Sequence, residues 1–385
     1  MSKRVILTDQ VMRPIAHFSH AVRVGGTLHL GATAGTDAHR RLAGVTPGMI
    51  DVEAQVVQMF VNARTVLKLL DADLDHVIRV KTYLTDMRDL PRYEAQFSKV
   101  FGDLKPNHVI VGSAGFPLPQ AAVELDLVAE VGTPVSRFAA AGDAAAVGSR
   151  FYCSAGPLAA AESGGRQMPD TFHEQVDATF DQLLARLAVG GKVPSDAVYL
   201  HGTLREARFA EAFRAAFNAC FPIRPPACTV VIAPLADVDC MLQVEAIAVA
   251  GGGLAVEDPS GDEGVRFGSP AMWAGDELYI GAQLGVGSDG SVARGVEAQT
   301  RFAWERIKSL LGAAGMRVED VLRTNNVLTD WRHYTAFNAG YGANVGEPYP
   351  PRATVLGGLT VCDALVQIEA IAHRQGHGAL IVQAA

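Results

Sequence analysis

One stretch of this chain is written twice, at a separation that a single small domain would not produce. Val52-Glu53-Ala54-Gln55 returns as Val296-Glu297-Ala298-Gln299, Leu84-Thr85-Asp86 as Leu328-Thr329-Asp330, and Pro106 as Pro350, each displaced by 244 residues. An offset this long, held without a gap, marks a duplicated domain and not a solenoid unit. A third copy fits between the two. Thr171-Phe172-His173-Glu174-Gln175 opens its helix, and Gln243-Val244-Glu245-Ala246-Ile247-Ala248 closes it, echoing Gln367-Ile368-Glu369-Ala370-Ile371-Ala372. The 385 residues therefore divide into three units, 1–132, 133–252 and 253–385, a number that suits the length.

Within the first unit the strands Ala21–Val24 and Leu28–Ala32 meet at Gly25-Gly26, a hairpin signal. Val56, Phe60, Ala63, Val66, Leu67 and Leu70 then recur at helical spacing and give one buried face. Val77–Leu84 reads as a strand, Tyr93, Phe97 and Phe101 mark a second helix, and strands over Val109–Ala114 and Ala122–Glu130 close the unit. The order predicts an α+β sheet with both helices on one face. Thr133-Pro134 and Gly251-Gly252-Gly253, the latter followed by the acidic Glu257–Gly264, are the natural linkers. The tail after His373 is short and Gly-bearing, which predicts a loosely held end.

The formal net charge of −8 argues against a general nucleic-acid surface, which needs a basic face. It leaves anionic small molecules open, because a pocket can be positive inside an acidic protein. No apolar run reaches the length of a membrane span, and the basic start Met1–Thr8 lacks an apolar stretch long enough for a signal peptide. Five cysteines without paired spacing (Cys153, Cys220, Cys228, Cys240 and Cys362) look reduced. A cytoplasmic protein with no membrane or nucleic-acid partner is the expectation.

The opening strand pair, the helix beginning Glu-Ala-Gln, the strand ending in Leu-Thr-Asp, and Pro350-Pro351-Arg352-Ala353-Thr354-Val355 before Gln367–Ala372 resemble the Rid (YjgF/YER057c/UK114) family. All three copies carry the resemblance. It implies three tandem Rid-like, chorismate-mutase-like domains, each a mixed sheet with two helices on one face. It also implies that they form a covalent pseudo-trimer with ligand clefts between repeats, with further self-association left open. Active members hydrolyse enamines or imines derived from amino acids, which needs no cofactor.

The resemblance implies site residues too. The substrate carboxylate wants a planar, always-charged donor, and the family places an arginine two residues before a hydroxyl or thiol residue. Arg352 and Thr354 match in the third copy, whereas Ala227 and His108 hold the arginine position in the second and first. A carboxylate in the last strand is taken to activate water. Glu124 stands there in the first copy, Gln243 and Gln367 in the others, each followed two residues on by Asp126, Glu245 or Glu369 on the same face. The copy that keeps Arg352 lacks the Glu, and the copy that keeps Glu124 lacks the Arg. Either the clefts have decayed or one has been rebuilt from neighbouring repeats, with Glu124 reaching Arg352 if the first and third share a boundary.

Asn338 falls where the family has a polar helix residue facing the cleft, with Glu94 and Ala210 as equivalents. Gly281-Ala282 matches the place where backbone approaches ligand, with Gly31-Ala32 and Ser154-Ala155 as counterparts. Phe18-Ser19 matches an aromatic–Ser pair near the start of the unit. His108 could bind a second carboxylate, though a lone His is more often a satisfied structural residue. Gly285–Gly290 spells GxGxxG outside any βαβ context and reads as a turn, and His373 with His377 lacks a metal framework.

The expectation is a deaminase of a 2-aminomuconate-like or 2-aminoacrylate-like substrate. Arg352 would clamp the carboxylate, Gln367 would place water, and Glu124 would complete proton transfer. Asn338, Gly281, Ala282, Thr354 and His108 would line the substrate, with no cofactor and no metal. A non-catalytic anion-binding module and a chorismatase-like enol-ether hydrolase are the alternatives.

Overall fold

The computed structural model describes residues 3–139, 144–157, 168–259, 266–378 and 380–384. Among these, three large mixed sheets repeat one topology. In the third, the strands run in the order Leu254–Val256, Ala271–Ala274, Glu277–Leu284, Val366–His373, Val321–Leu328 and Arg352–Leu356. Val321–Leu328 pairs parallel with Arg352–Leu356 and antiparallel with its other neighbour, Val366–His373. The first and second copies repeat the parallel pair with Val77–Leu84 against Asn107–Gly112 and Ala197–Leu204 against Ala227–Ile232. A helix-bearing crossover separates each such pair, as a parallel connection requires.

Two helices cover one face of each sheet. Val52–Lys68, Phe172–Val189 and Val296–Ala313 are the long ones. The Asp51 side chain caps the first by accepting from Ala54 N, and a Thr171–Glu174 capping box opens the second. The buried faces follow the apolar spacing: Val56, Met59, Phe60, Ala63, Val66 and Leu67 in the first copy, Ala303, Trp304, Ile307, Leu310 and Leu311 in the third. The last and central strands, such as Val123–Glu130, are buried along their whole length. Helices lie on one side and the other two copies on the other, which explains why polar residues alternate with apolar ones there without reaching solvent.

The inner faces meet about a pseudo-threefold axis lined by equivalent but non-identical residues. Arg79, Tyr199 and Arg323 form one set, Lys81, His201 and Asn325 a second, Asp126, Glu245 and Glu369 a third. Arg79 donates to Asp126 at 3.1 Å and to Glu245, Lys81 Nζ to Glu245 at 2.6 Å, and Arg323 lies 2.9 Å from Asp126. Asn325 and Tyr199 donate to Glu369. Three cations thus meet two of the acids, and two neutral donors hold the third, in a place where identical subunits would stack like on like. The cations hold Glu245 well below the usual carboxylate range against the opposing effect of burial.

One expectation is overturned at the end of the chain. Leu380–Ala384 is not loose: it pairs parallel with Arg4–Thr8 and extends the first copy's sheet. Backbone hydrogen bonding to an edge strand holds it where side-chain patterning gave no signal. The Gly285–Gly290 segment is a hairpin turn, with Gly287 N bonded to Ser291 O at 2.8 Å and Gly290 N to Gly287 O at 2.9 Å. The acidic linker read over 257–264 lies partly outside the described residues.

Candidate active site

Pro350 and Pro351 end any continuation of the helix Tyr334–Asn344, and Arg352 opens the following edge strand. That start places its side chain over the helix's aromatic face. The guanidinium carbon lies 4.5 Å from the Tyr341 ring centre, 5.3 Å from Phe337 and 5.6 Å from Phe18, the last from the first copy. Each such contact is worth roughly 1 kcal/mol and together they fix the plane of the group. Nη2 donates to Asn338 Oδ1. Nη1 is buried and has no hydrogen-bond partner among the described residues. A buried guanidinium edge without an acceptor costs free energy unless a ligand supplies one.

The cleft this edge borders is built by two copies. Tyr334, Arg352 and Thr354 come from the third; Phe18, Ala32, Ala34, Leu118 and Glu124 are among those from the first. Its volume is about 430 Å³ with the open mouth included. Glu124 sits on the strand Val123–Glu130, is 6% exposed, and accepts no hydrogen bond among the described residues. Burial pushes its carboxyl up to about 8. The residue that lacks an arginine in its own copy therefore shares a cleft with the arginine of another.

Gly31 makes that approach possible. A Cβ there would stand 3.0 Å from the backbone N and 3.1 Å from the backbone O of Arg352. The glycine–alanine pair of this cleft is therefore Gly31-Ala32. Gly281 and Ala282, expected beside Arg352, lie elsewhere: a Cβ on Gly281 would meet the backbone O and N of Cys228 at 2.7 and 2.9 Å, at the boundary between the second and third copies. Each cleft joins the arginine-position strand of one copy to the glycine strand of the next.

The same rule relocates Gln367. Its Nε2 donates to Val230 O of the second copy at 3.3 Å, and it lines an axial cavity with Lys81, His201 and Glu369 and not the Arg352 cleft. It cannot place water at Arg352, because the last-strand position faces the copy before its own around the ring. Thr354 is in the cleft and accepts from Asn326 Nδ2 at 3.1 Å. Asn338 is beside Arg352 as expected, but its equivalent in the second copy is Arg214 and not Ala210, since the helices Ala210–Cys220 and Tyr334–Asn344 begin in register. Arg214 stacks over Phe267 at 4.0 Å and donates to Arg266 O at 2.7 Å.

His108 takes the arginine's place in the first copy and packs as an aromatic. Its ring is stacked on Phe97 at 3.9 Å with 3° between planes, and Nε2 lies 2.9 Å from Tyr93 Oη. Burial lowers its pKa to about 3, so it is neutral at physiological pH. It does not line the Arg352 cleft. Sequence reasoning missed Met12, Ile15, Pro117, Leu118 and Tyr334, which complete the lining. The first four lie in irregular segments that carry no periodic signal; Tyr334, four residues before Asn338 on the same helix face, could have been found.

The family described as Endoribonuclease L-PSP matches residues 8–131 and 265–374, more than half of the chain. The chain belongs to this family, the Rid (YjgF/YER057c/UK114) proteins. The matched segments are the copies that supply Glu124 and Arg352. A RutC family protein of Pyrococcus horikoshii is 34% identical over 109 residues, 28% of this chain and 86% of that protein. One of Pyrococcus abyssi is 27% identical over 129 residues, 34% and 98% of the two chains. Among solved structures, RidA from the Antarctic bacterium Psychrobacter sp. PAMC 21119 is 31% identical over 31% of this chain and 98% of its own, with a TM-score of 0.29. A chorismatase covers 77% of this chain and 93% of its own at 14% identity and a TM-score of 0.57, a likeness of fold. No helix among the described residues is long and apolar enough to cross a membrane.

Proposed function

We propose that the chain is a hydrolytic deaminase of an enamine or imine carboxylate, working in the cleft between its third and first copies. The observation that carries this reading is that a buried Arg352 Nη1 without a hydrogen-bond partner and a buried Glu124, its carboxyl pushed up by burial, line one cleft. Arg352 holds the substrate carboxylate, with Asn338 and the aromatic rings fixing its plane. Glu124, protonated near neutral pH, delivers its proton to the enamine β-carbon and leaves an iminium beside a carboxylate. That carboxylate then takes a proton from the water that attacks the C=N carbon, and the carbinolamine collapses to a keto acid and ammonia. One group serves as acid and then base, so no cofactor is required. Gln367 has no part in this cycle.

The test is ammonia release from freshly generated 2-aminoacrylate, 2-aminocrotonate and 2-aminomuconate by the wild type and by Arg352→Ala. Turnover lost in the variant supports the reading. Saturable binding without turnover would make the protein an anion-binding module. A second reading takes its motive from the chorismatase-like fold and from the same protonated carboxyl: an enol ether also opens on carbon protonation. It yields a keto acid without ammonia, and that product balance separates the two.

A further inference from the structure

The character of the cleft beyond Arg352 and Glu124 restricts what it can hold. Among the described lining residues, Arg352 is the one cation and Glu124 the one acid. Apart from Tyr334 and Thr354, which carry hydroxyls, the remaining wall is apolar, with Met12 and Ile15 on one irregular segment and Pro117 and Leu118 on another. These four side chains are half-buried before any ligand arrives. The loop that carries Pro117 and Leu118 is fixed across the copy boundary: Ser113 Oγ accepts from Leu356 N at 3.2 Å, and Gly115 is so close to Trp331 that a Cβ would stand 3.0 Å from its Nε1. The apolar wall is thus held in place.

We infer that the cleft takes monocarboxylates with an apolar side chain, the carboxylate on Arg352 and the chain against Met12, Ile15, Pro117 and Leu118, and that it rejects dicarboxylates. This rests on the cleft being the working site proposed above. A second carboxylate has no second cation to meet: it would lie against apolar side chains with only the Tyr334 and Thr354 hydroxyls as donors, or share the cleft with Glu124, and a buried charge without a countercharge is strongly disfavoured. Each methylene that the wall covers strengthens binding by about fourfold. The dicarboxylic 2-aminomuconate-like substrate is thereby disfavoured within the deaminase class, and an enamine with an apolar β-substituent is favoured.

The experiment is calorimetric titration of the full chain with three keto acids, the form in which products leave: pyruvate, 4-methyl-2-oxopentanoate and 2-oxoglutarate. The branched acid is expected to bind at least about tenfold more tightly than pyruvate, and 2-oxoglutarate more weakly than either. Leu118→Ala should shrink the advantage of the branched acid over pyruvate. Leu118→Arg should strengthen 2-oxoglutarate. Thermal melts establish that both variants are folded, and the wild-type ranking stands without them. Wild-type affinity for 2-oxoglutarate equal to or above that for the branched acid overturns the inference, as does failure of all three to bind. Apolar preference without ammonia release from any enamine would keep the ligand class and sink the deaminase. Fastest ammonia release from a dicarboxylic enamine would do the reverse.

Discussion

Arg352 and His108 occupy equivalent positions, each stacked on an aromatic ring of the helix beside it, Tyr341 in one case and Phe97 in the other. Yet one has an unpartnered donor edge in a cleft that also holds a buried acid, and the other is a neutral ring closed into its own copy by Tyr93. The difference lies across the boundary as much as within the copy. The third copy's strand meets a neighbour that brings Gly31, Ala32 and Glu124, while the second copy's strand meets Gly281 at Cys228 and Gln367 at Val230. A cleft in this molecule is the property of a seam, and the ring has three unlike seams.

The largest effect that would break this contrast is at Arg352. Arg352→Ala should lower kcat/KM by about 10²-fold or more, and Arg352→Lys should recover only part of it, because a point charge replaces a planar fork. Steady-state kinetics on the best enamine decides; an active Ala variant would move the working seam elsewhere. Next is Glu124→Gln, expected to lower kcat by about 10²-fold while keeping product binding. With its carboxyl at about 8, wild-type turnover should hold level around pH 6–7 and fall above pH 8 as the proton is lost.

Stability carries the same signature. The folded-state pKa of Glu124 is raised above its unfolded value, so its favourable contribution is complete at acid pH and is lost as pH rises toward 8. Glu124→Gln should therefore melt increasingly above the wild type as the pH is raised from 5 to 8. A gap that narrows over that range would contradict a buried, unpaired carboxyl.

The smaller effects sharpen the comparison from the other two seams. His108→Asn should cost about 1–3 kcal/mol of stability, through the lost ring stack and Tyr93 contact, with turnover unchanged. The His108 ring signals in NMR should show no titration between pH 5 and 8. Gln367→Ala should leave turnover as it was, since its amide bonds to Val230 O away from Arg352. Loss of turnover in either variant would return that residue to the site.

The 244-residue offset and the helical spacing after Glu53 and Glu297 were enough to read the repeated α+β unit, because local periodicity determines local structure. Arg352, Glu124, Thr354 and Asn338 were legible as site candidates from the family motif, and the structure puts all four at one seam. What a sequence read copy by copy does not reveal is which neighbour a strand faces. Glu124 and Gln367 occupy equivalent positions and both look out of their own copy, so Gln367 was assigned to the wrong seam, and Gly281 with it. Arg214 was missed for a simpler reason: a small shift of register along a short helix changes which residue faces the boundary. The apolar wall at Met12 and Leu118 comes from irregular segments, whose placement depends on tertiary contacts alone.

The strand Leu380–Ala384, laid parallel on Arg4–Thr8, gives the molecule a clasp. First and second copies, and second and third, are consecutive in the chain; the third and first are joined by hydrogen bonds, and theirs is the seam that holds Arg352 and Glu124. Anything bound across that seam also fastens it, so occupancy and closure of the ring are thermodynamically linked, and a ligand well above its Kd tightens the clasp by RT ln(1 + [L]/Kd). A ligand of that cleft would act as the pin of its own enclosure.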